Sequence, residues 1–213
     1  MQILVTGATG KVGQALLTAL ADRWPDARVR ALLHNRDLPA RPGLETLKGS
    51  LADRSVAEAA VQGCTHVVHL ATCKETPDDV MDVTVKGLFW LLEAWRANPA
   101  AQRFVLIGGD AAVGHFFYDH GGPVTEATPH RAYPGCYALS KVLEETMLTQ
   151  FGIQYGIDWC CLRAPWIMEK DDFRCSLSFG ADRFGGPDWA ELTGPAVAAE
   201  ARRTGAIPLL QDG

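Results

Sequence analysis

The sequence predicts an α/β fold: a doubly wound parallel sheet with helices on both faces, followed by the start of a smaller C-terminal region. Three observations predict it. Short apolar runs alternate with segments of helical periodicity from the first residue to Pro165, the pattern of strands joined by crossover helices. A glycine-rich turn links the first run directly to the first helical segment, where such folds place their ligand. The 213 residues are 47% hydrophobic and 21% charged, enough to build a sizeable core and too apolar for a disordered chain.

The elements follow in order. Gln2 to Thr6 is apolar and ends at a glycine, which reads as a buried strand. Val12, Ala15, Leu16, Ala19 and Leu20 recur at helical spacing, so Lys11 to Trp24 is a helix that Pro25 stops. Arg28 to Leu33 is the second strand, and His34 to Leu44, with Asn35, Asp37, Pro39, Pro42 and Gly43, is loop. A short strand is expected over Leu47 to Leu51, then a helix from Asp53 to Gln62 closed by Gly63. Thr65 to Leu70 is β-branched and forms the fourth strand. Thr76-Pro77-Asp78-Asp79 starts a helix: threonine can cap, proline suits the first turn, and the acids meet the positive end of the dipole. That helix runs to Asn98-Pro99. Arg103 to Ile107 is a strand, Pro134 to Phe151 is helical after its first residues, and Ile157 to Leu162 is the last strand of the alternation. Beyond Pro165 the pattern weakens. A short helix is expected over Ala196 to Thr204 and a strand at Ile207 to Leu210, entering an Asp212-Gly213 turn that suggests a truncated chain.

Composition narrows the partners. Twenty basic against twenty-five acidic residues give a net charge of −5, which disfavours nucleic acid or an anionic membrane as a general partner. No apolar run approaches the ~18 residues of a membrane span, and the N-terminus reads as a strand rather than a signal peptide. The six cysteines form no C-x-x-C pair and are expected as free thiols in a reducing, cytoplasmic setting. The histidines show no metal-ligand spacing, so no metal site is expected.

The motif with most chemical content is Thr6-Gly7-Ala8-Thr9-Gly10-Lys11-Val12-Gly13. Gly7 permits the tight turn, Gly10 lets backbone approach a pyrophosphate, and Gly13 lets the helix pack close to the sheet, while free N–H groups at the helix start face the phosphates. The spacing G-x-x-G-x-x-G resembles that of the extended short-chain dehydrogenase/reductase superfamily, and in particular its NAD-dependent epimerase/dehydratase family. The resemblance runs from residue 1 to about 170 and implies a Rossmann-like domain over 1–167 that binds NAD(P), with 168–213 a partial substrate-binding region. It implies cofactor contacts from Gly7, Thr9, Gly10, Lys11, Val12 and Gly13.

The second motif is Tyr137-Ala138-Leu139-Ser140-Lys141. On a helix, positions i and i+4 share a face, so an ammonium stands beside a phenol and stabilises its phenolate. Such a tyrosine can move a proton to or from a substrate oxygen while hydride moves to or from a nicotinamide. The resemblance makes Tyr137 the catalytic acid/base and gives Lys141 a contact with the nicotinamide ribose. Val67-Val68-His69-Leu70-Ala71-Thr72 resembles the family segment whose backbone lies along the cofactor, implicating Leu70, Ala71 and Thr72. Leu162-Arg163-Ala164-Pro165-Trp166-Ile167 resembles the segment packed near nicotinamide, implicating Pro165 and Ile167.

The departures are specific. Gly49-Ser50-Leu51 stands where the family carries Gly-Asp-Leu, so the adenine contact of Ser50 and Leu51 is weakened or changed, and Asp53 is expected to cap the next helix. Thr84 occupies the place of a family asparagine. Gly109 falls where a family serine or threonine bonds the substrate oxygen. Two readings stand: glycine N–H groups or Asp110 polarise the substrate, or the activity is altered or lost. Asp110 itself can hold a substrate hydroxyl as acceptor or serve as a turn or cap residue. At the end of the second strand, His34-Asn35-Arg36-Asp37 offers no immediate acid and a basic Arg36, which favours NADP over NAD. The implied substrate is a sugar-like or nucleotide-sugar alcohol or carbonyl, undergoing oxidation or reduction, epimerisation or dehydration. A non-catalytic NAD(P)-binding protein is the alternative of another class. Leu88, Leu91, Leu92 and Trp95 have two readings: the apolar face of a homodimer formed through the two long helices, or packing into the core.

Overall fold

Six parallel strands form one sheet in the order β3-β2-β1-β4-β5-β6. The computed structural model describes residues 1–115, 117–165 and the single positions 167, 196, 199 and 203. The elements are β1 (Gln2–Thr6), α1 (Lys11–Arg23), β2 (Arg28–Leu33), β3 (Leu44–Lys48), α2 (Arg54–Val61), β4 (His66–His69), α3 (Pro77–Asp79), a π-helical segment Val80–Val85, α4 (Lys86–Arg96), β5 (Arg103–Gly109), a 3₁₀ turn Asp110–Val113, α5 (Cys136–Tyr155) and β6 (Trp159–Ala164). The strand order reverses between β1 and β4, so the turns that follow these two strands flank the crevice where a doubly wound sheet binds its ligand.

Both faces of β1 are buried, as its unbroken apolar run requires. Ile3 and Val5 pack with Leu17 and Leu20 of α1 and with Val29, Ala31 and Leu33 of β2. Leu4 faces the other way, into a second core with Val67, Phe104, Leu106, Leu88, Leu91, Leu92, Trp95 and Leu148. Leu88, Leu91 and Leu92 are completely buried and Trp95 is 1% exposed. These four side chains are therefore core and not a dimer face: an apolar stripe on a helix looks the same in sequence whether it meets a sheet or a second subunit. Each contributes about 1.5–3 kcal/mol by burial.

The third strand and the helix start at Thr76 differ from expectation. The third strand is Leu44–Lys48 rather than 47–51, because β3 extends the pairing of β2 from Val29↔Leu44 to Leu33↔Lys48. Thr76 makes no side-chain cap, and the helix it precedes passes through a π-helical segment before α4. In that segment the buried Thr84 hydroxyl accepts the Cys73 N–H at 2.8 Å, tying the loop after β4 to the helix. Asp53 does cap α2, accepting from the Ser55 N–H at 2.9 Å. Of the C-terminal expectations, Ala196, Ala199 and Arg203 are helical positions. The strand at Ile207 to Leu210 and the remainder of 168–213 lie outside the described residues. Cys64, Cys73, Cys136, Cys160 and Cys161 are thiols outside any disulfide. No described helix is long and apolar enough to cross a membrane, and the described residues contain no His/Cys/Asp/Glu cluster suited to a metal.

Candidate active site

The turn after β1 is pressed against the turn after β4. Gly7 has φ +65°, and a Cβ on it would lie 2.8 Å from the Ala71 nitrogen. A Cβ on Gly13 would lie 2.4 Å from the Gly7 carbonyl oxygen. The turn closes through the Gly10 N–H donating to the Gly7 carbonyl at 3.0 Å. Helix α1 begins with no side-chain cap at Gly10 and no acidic residue in its first turn. A helix start without its own anion is suited to phosphate. The glycine cradle thus fits a dinucleotide pyrophosphate by both shape and charge, along the backbone of Gly7 to Gly13.

Behind this cradle, the buried Thr6 hydroxyl accepts the N–H groups of Leu70 and Ala71 at 3.1 and 3.2 Å and lies 2.9 Å from His69 Nδ1. Thr6 therefore fixes the start of the Leu70-Ala71-Thr72 segment beside Gly7.

Helix α5 carries Tyr137 and Lys141. Its start is held by Glu75, from the loop after β4, whose Oε2 accepts the Cys136 N–H at 3.0 Å and the Tyr137 N–H at 3.4 Å. Gly135 at the cap has φ +140° and no side chain to do this itself. The Lys141 ammonium lies 5.4 Å from the centroid of the Tyr137 ring and 2.8 Å from Glu144 Oε2. Lys141 and Glu144 are both buried. Burial pushes Lys141 down, but the charge of Glu144 outweighs it and the ammonium is held above its usual range. Burial also pushes the Tyr137 phenol up, where Lys141 opposes the rise and Glu144, Asp110 and Glu75 add to it.

The end of β5 faces this pair. A Cβ on Gly109 would stand 3.6 Å from the Tyr137 hydroxyl and 3.7 Å from Lys141 Cγ. Gly109 is thus beside the phenol, as the sequence match placed it, and it presents no hydroxyl there. Asp110 follows, half-buried, with Oδ2 3.5 Å from His115 Nδ1. Burial raises its carboxyl above the usual range despite His115.

The other expected contacts are more dispersed. Arg36 is exposed on the loop after β2, and its neighbour Asp37 pairs with Lys48 at 3.0 Å. The Ser50 hydroxyl accepts the Ala52 N–H at 3.2 Å. The Leu51 side chain is 3% exposed and belongs to the core, so only its backbone is available to a ligand. Gly87 permits that packing, since a Cβ there would meet the Leu51 Cβ at 2.9 Å. Pro165 and Ile167 are exposed just past β6. Thr9 and Val12 are half-buried at the cradle and Lys11 is exposed.

Sequence reasoning missed Glu75, Glu144, Thr6 and His69. Glu144 had a signal: it stands three residues after Lys141, on the helix face that already carried the motif. Glu75 had none, because a capping carboxylate from a distant loop leaves no local pattern.

The chain resembles known proteins in sequence and in fold. The sequence profile of the "NAD dependent epimerase/dehydratase family" matches residues 3–168. The chain is 33% identical over 184 residues to a 3 beta-hydroxysteroid dehydrogenase/Delta 5-->4-isomerase of Mycobacterium tuberculosis, covering 80% of this chain and 48% of that protein. Uronate dehydrogenase from Agrobacterium tumefaciens, as a mutant complexed with NAD, superposes with a TM-score of 0.66 at 29% identity, over 74% of this chain and 58% of the other. The UDP-glucose 4-epimerase of Thermus thermophilus, in complex with NAD, gives a TM-score of 0.66 at 26% identity, over 76% of this chain and 54% of the other. The chain spans about half the length of the first curated relatives it matches.

Proposed function

The chain belongs to the NAD dependent epimerase/dehydratase family, and from that premise we propose that it serves an NAD(P)-dependent oxidoreductase acting on a sugar-like alcohol or carbonyl. The observation that carries the proposal is the meeting of Tyr137, Lys141 and the β5 end, at the same edge of the parallel sheet as the glycine cradle. The nicotinamide dinucleotide, when bound, supplies the hydride acceptor or donor. Gly7, Thr9, Gly10, Lys11, Val12 and Gly13 hold its pyrophosphate, with Leu70, Ala71 and Thr72 alongside and Pro165 and Ile167 at the nicotinamide end. Lys141 holds the nicotinamide ribose. Ser50 and the Leu51 backbone lie towards adenine.

Tyr137 accepts the substrate hydroxyl proton during oxidation and returns it during reduction. Its phenol is held up by burial, which suits the proton-donating direction at neutral pH. Asp110 accepts a hydrogen bond from a second substrate hydroxyl. As an ionised group it would repel a developing alkoxide, so it does not replace the hydroxyl that Gly109 lacks. Arg36, with no acid at the end of β2, favours the 2′-phosphate of NADP, with NAD as the other candidate. Net change in NAD(P)H on turnover marks a dehydrogenase or reductase, and turnover without it marks an epimerase or dehydratase.

Gly109 favours one competing reading, a nucleotide-binding protein without catalysis. Tyr137→Phe separates the two. The enzyme reading expects turnover to fall about 100-fold or more with dinucleotide affinity retained. Turnover that survives the substitution removes Tyr137 from the chemistry.

A further inference from the structure

Among the described residues, Glu144 is a buried ionisable group that the proposed chemistry leaves unused. Its side chain is fully buried on α5, about one turn beyond Lys141 and two beyond Tyr137. Oε2 lies 2.8 Å from the Lys141 ammonium, and Oε1 lies 3.9 Å from His69 Nε2 on β4.

The protonation of His69 follows from its neighbours. The Thr6 oxygen already accepts two backbone N–H groups, from Leu70 and Ala71. Its one proton therefore points to His69 Nδ1, 2.9 Å away. Burial and the Lys141 charge push the imidazole down to about 3, so the ring is neutral. Its single proton is then on Nε2 and faces Glu144. Burial pushes the Glu144 carboxyl up and the Lys141 ammonium, 2.8 Å away, opposes the rise; His69 Nε2 faces it from 3.9 Å, beyond hydrogen-bond reach. This chain of contacts runs from the glycine cradle through Thr6, His69 and Glu144 to Lys141.

We infer that Glu144 is a positioning residue that anchors the Lys141 ammonium from beneath and tempers its pull on the Tyr137 phenol. The inference rests on the assignment of Tyr137 and Lys141 as the acid/base pair. A lysine with no anion beside it would make the phenol markedly more acidic. Here the cation is paired within its own helix, and what reaches Tyr137 is closer to the field of a dipole. The other charges facing the phenol are Asp110 from the turn after β5 and Glu75 from the loop after β4, with the Tyr133 phenol nearby. Around Glu144 the remaining titratable neighbours are Glu145 on α5 and the Cys161 thiol on β6. None of these is a cation, so none replaces Lys141 as the partner of Glu144. Tyr137 consequently stays protonated through neutral pH, ready to donate.

The test needs neither substrate nor turnover. The phenol of Tyr137 is titrated by ultraviolet difference absorbance in the chain, with the Tyr137→Phe titration subtracted and circular dichroism following the fold. The wild-type phenol is expected to ionise no more readily than free tyrosine. Glu144→Gln should make it about tenfold more acidic, whereas Glu144→Asp, which keeps the charge, should stay within about threefold of wild type. A folded Glu144→Gln variant with an unchanged titration overturns the inference. If that variant does not fold, the wild-type curve decides alone: a phenol more acidic than free tyrosine overturns it. Failure of the catalytic assignment would be seen separately, as turnover that survives Tyr137→Phe.

Discussion

Gly109 stands directly beside Tyr137: a side-chain carbon on the glycine would lie 3.6 Å from the phenol oxygen. Its backbone is extended, at φ −155° and ψ 152°, a conformation open to any residue. The other near contacts of that carbon, Lys141 Cγ at 3.7 Å and the Ala111 nitrogen at 3.8 Å, are at ordinary van der Waals distance. Gly109→Ser should therefore fold with stability within about 1 kcal/mol of wild type. It should also raise kcat, by about tenfold or more, because a donor placed beside the acid/base can stabilise charge on the reacting oxygen. Steady-state kinetics with thermal melting checks both parts. A well-folded serine variant with unchanged kcat would mean that backbone N–H groups already fill the role.

The glycine cradle gives a second prediction. Gly13→Ala pushes a methyl to within 2.4 Å of the Gly7 carbonyl and 2.7 Å of the Ala8 backbone, which can yield only by opening the β1–α1 turn. The expected loss of stability is about 1–3 kcal/mol, together with loss of dinucleotide binding. Gly63→Ala is the control. Its φ of +72° makes alanine strained there, but open space surrounds it, so stability falls by about 1–2 kcal/mol while binding is unchanged. Melting curves with and without dinucleotide separate the two variants.

The acid limb of stability should carry the signature of Glu145. Its carboxylate accepts from Arg163 Nε and Nη2 at 3.0 and 2.9 Å and lies 2.8 Å from His130 Nε2. Arg163 also reaches the carbonyls of Thr125, Glu126 and Thr128, so this ion pair pins the segment that follows β5. Burial pushes Glu145 up, but Arg163 and His130 outweigh it and the net direction is down. A depressed carboxyl stabilises fully above its unfolded value, about 4.3, and the contribution is lost as pH falls through the lower folded value. Glu145→Gln should cost about 1–3 kcal/mol at neutral pH, and the gap to wild type should begin to narrow as pH falls below the unfolded value of about 4.3. Denaturant melts at pH 7 and pH 3 measure it, and a gap as large at pH 3 as at pH 7 would contradict this linkage.

How much was legible in the sequence differed from element to element. The β1 run and the turn from Gly7 to Gly13 were clear because buried parallel strands are continuously apolar and phosphate cradles require glycine at fixed spacing. Tyr137 and Lys141 were clear because helical periodicity puts them on one face. The start of β3 at Leu44 was not, since Leu44-Glu45-Thr46 has no apolar run and is a strand only through pairing with β2. The apolar face of α4 was visible, but the sequence did not say that it meets the sheet and α2. The bracket of His69 and Glu144 arises from three elements distant in sequence, and a pattern confined to one helix carries no trace of the other two. Within 168–213 the described positions are Ala196, Ala199 and Arg203, all helical, as the expected helix over Ala196 to Thr204 requires.

In the function proposed above, the cradle of Gly7 to Gly13 presents a nicotinamide dinucleotide to Lys141 and Tyr137. Calorimetric titration of NADH and NADPH into this chain, repeated on Lys141→Met, tests it most directly. Saturable binding of at least one nucleotide, weakened by the substitution while Tyr137→Phe leaves it intact, is the predicted result. A folded chain that takes up neither nucleotide, or binds one with an affinity indifferent to Lys141, would contradict it.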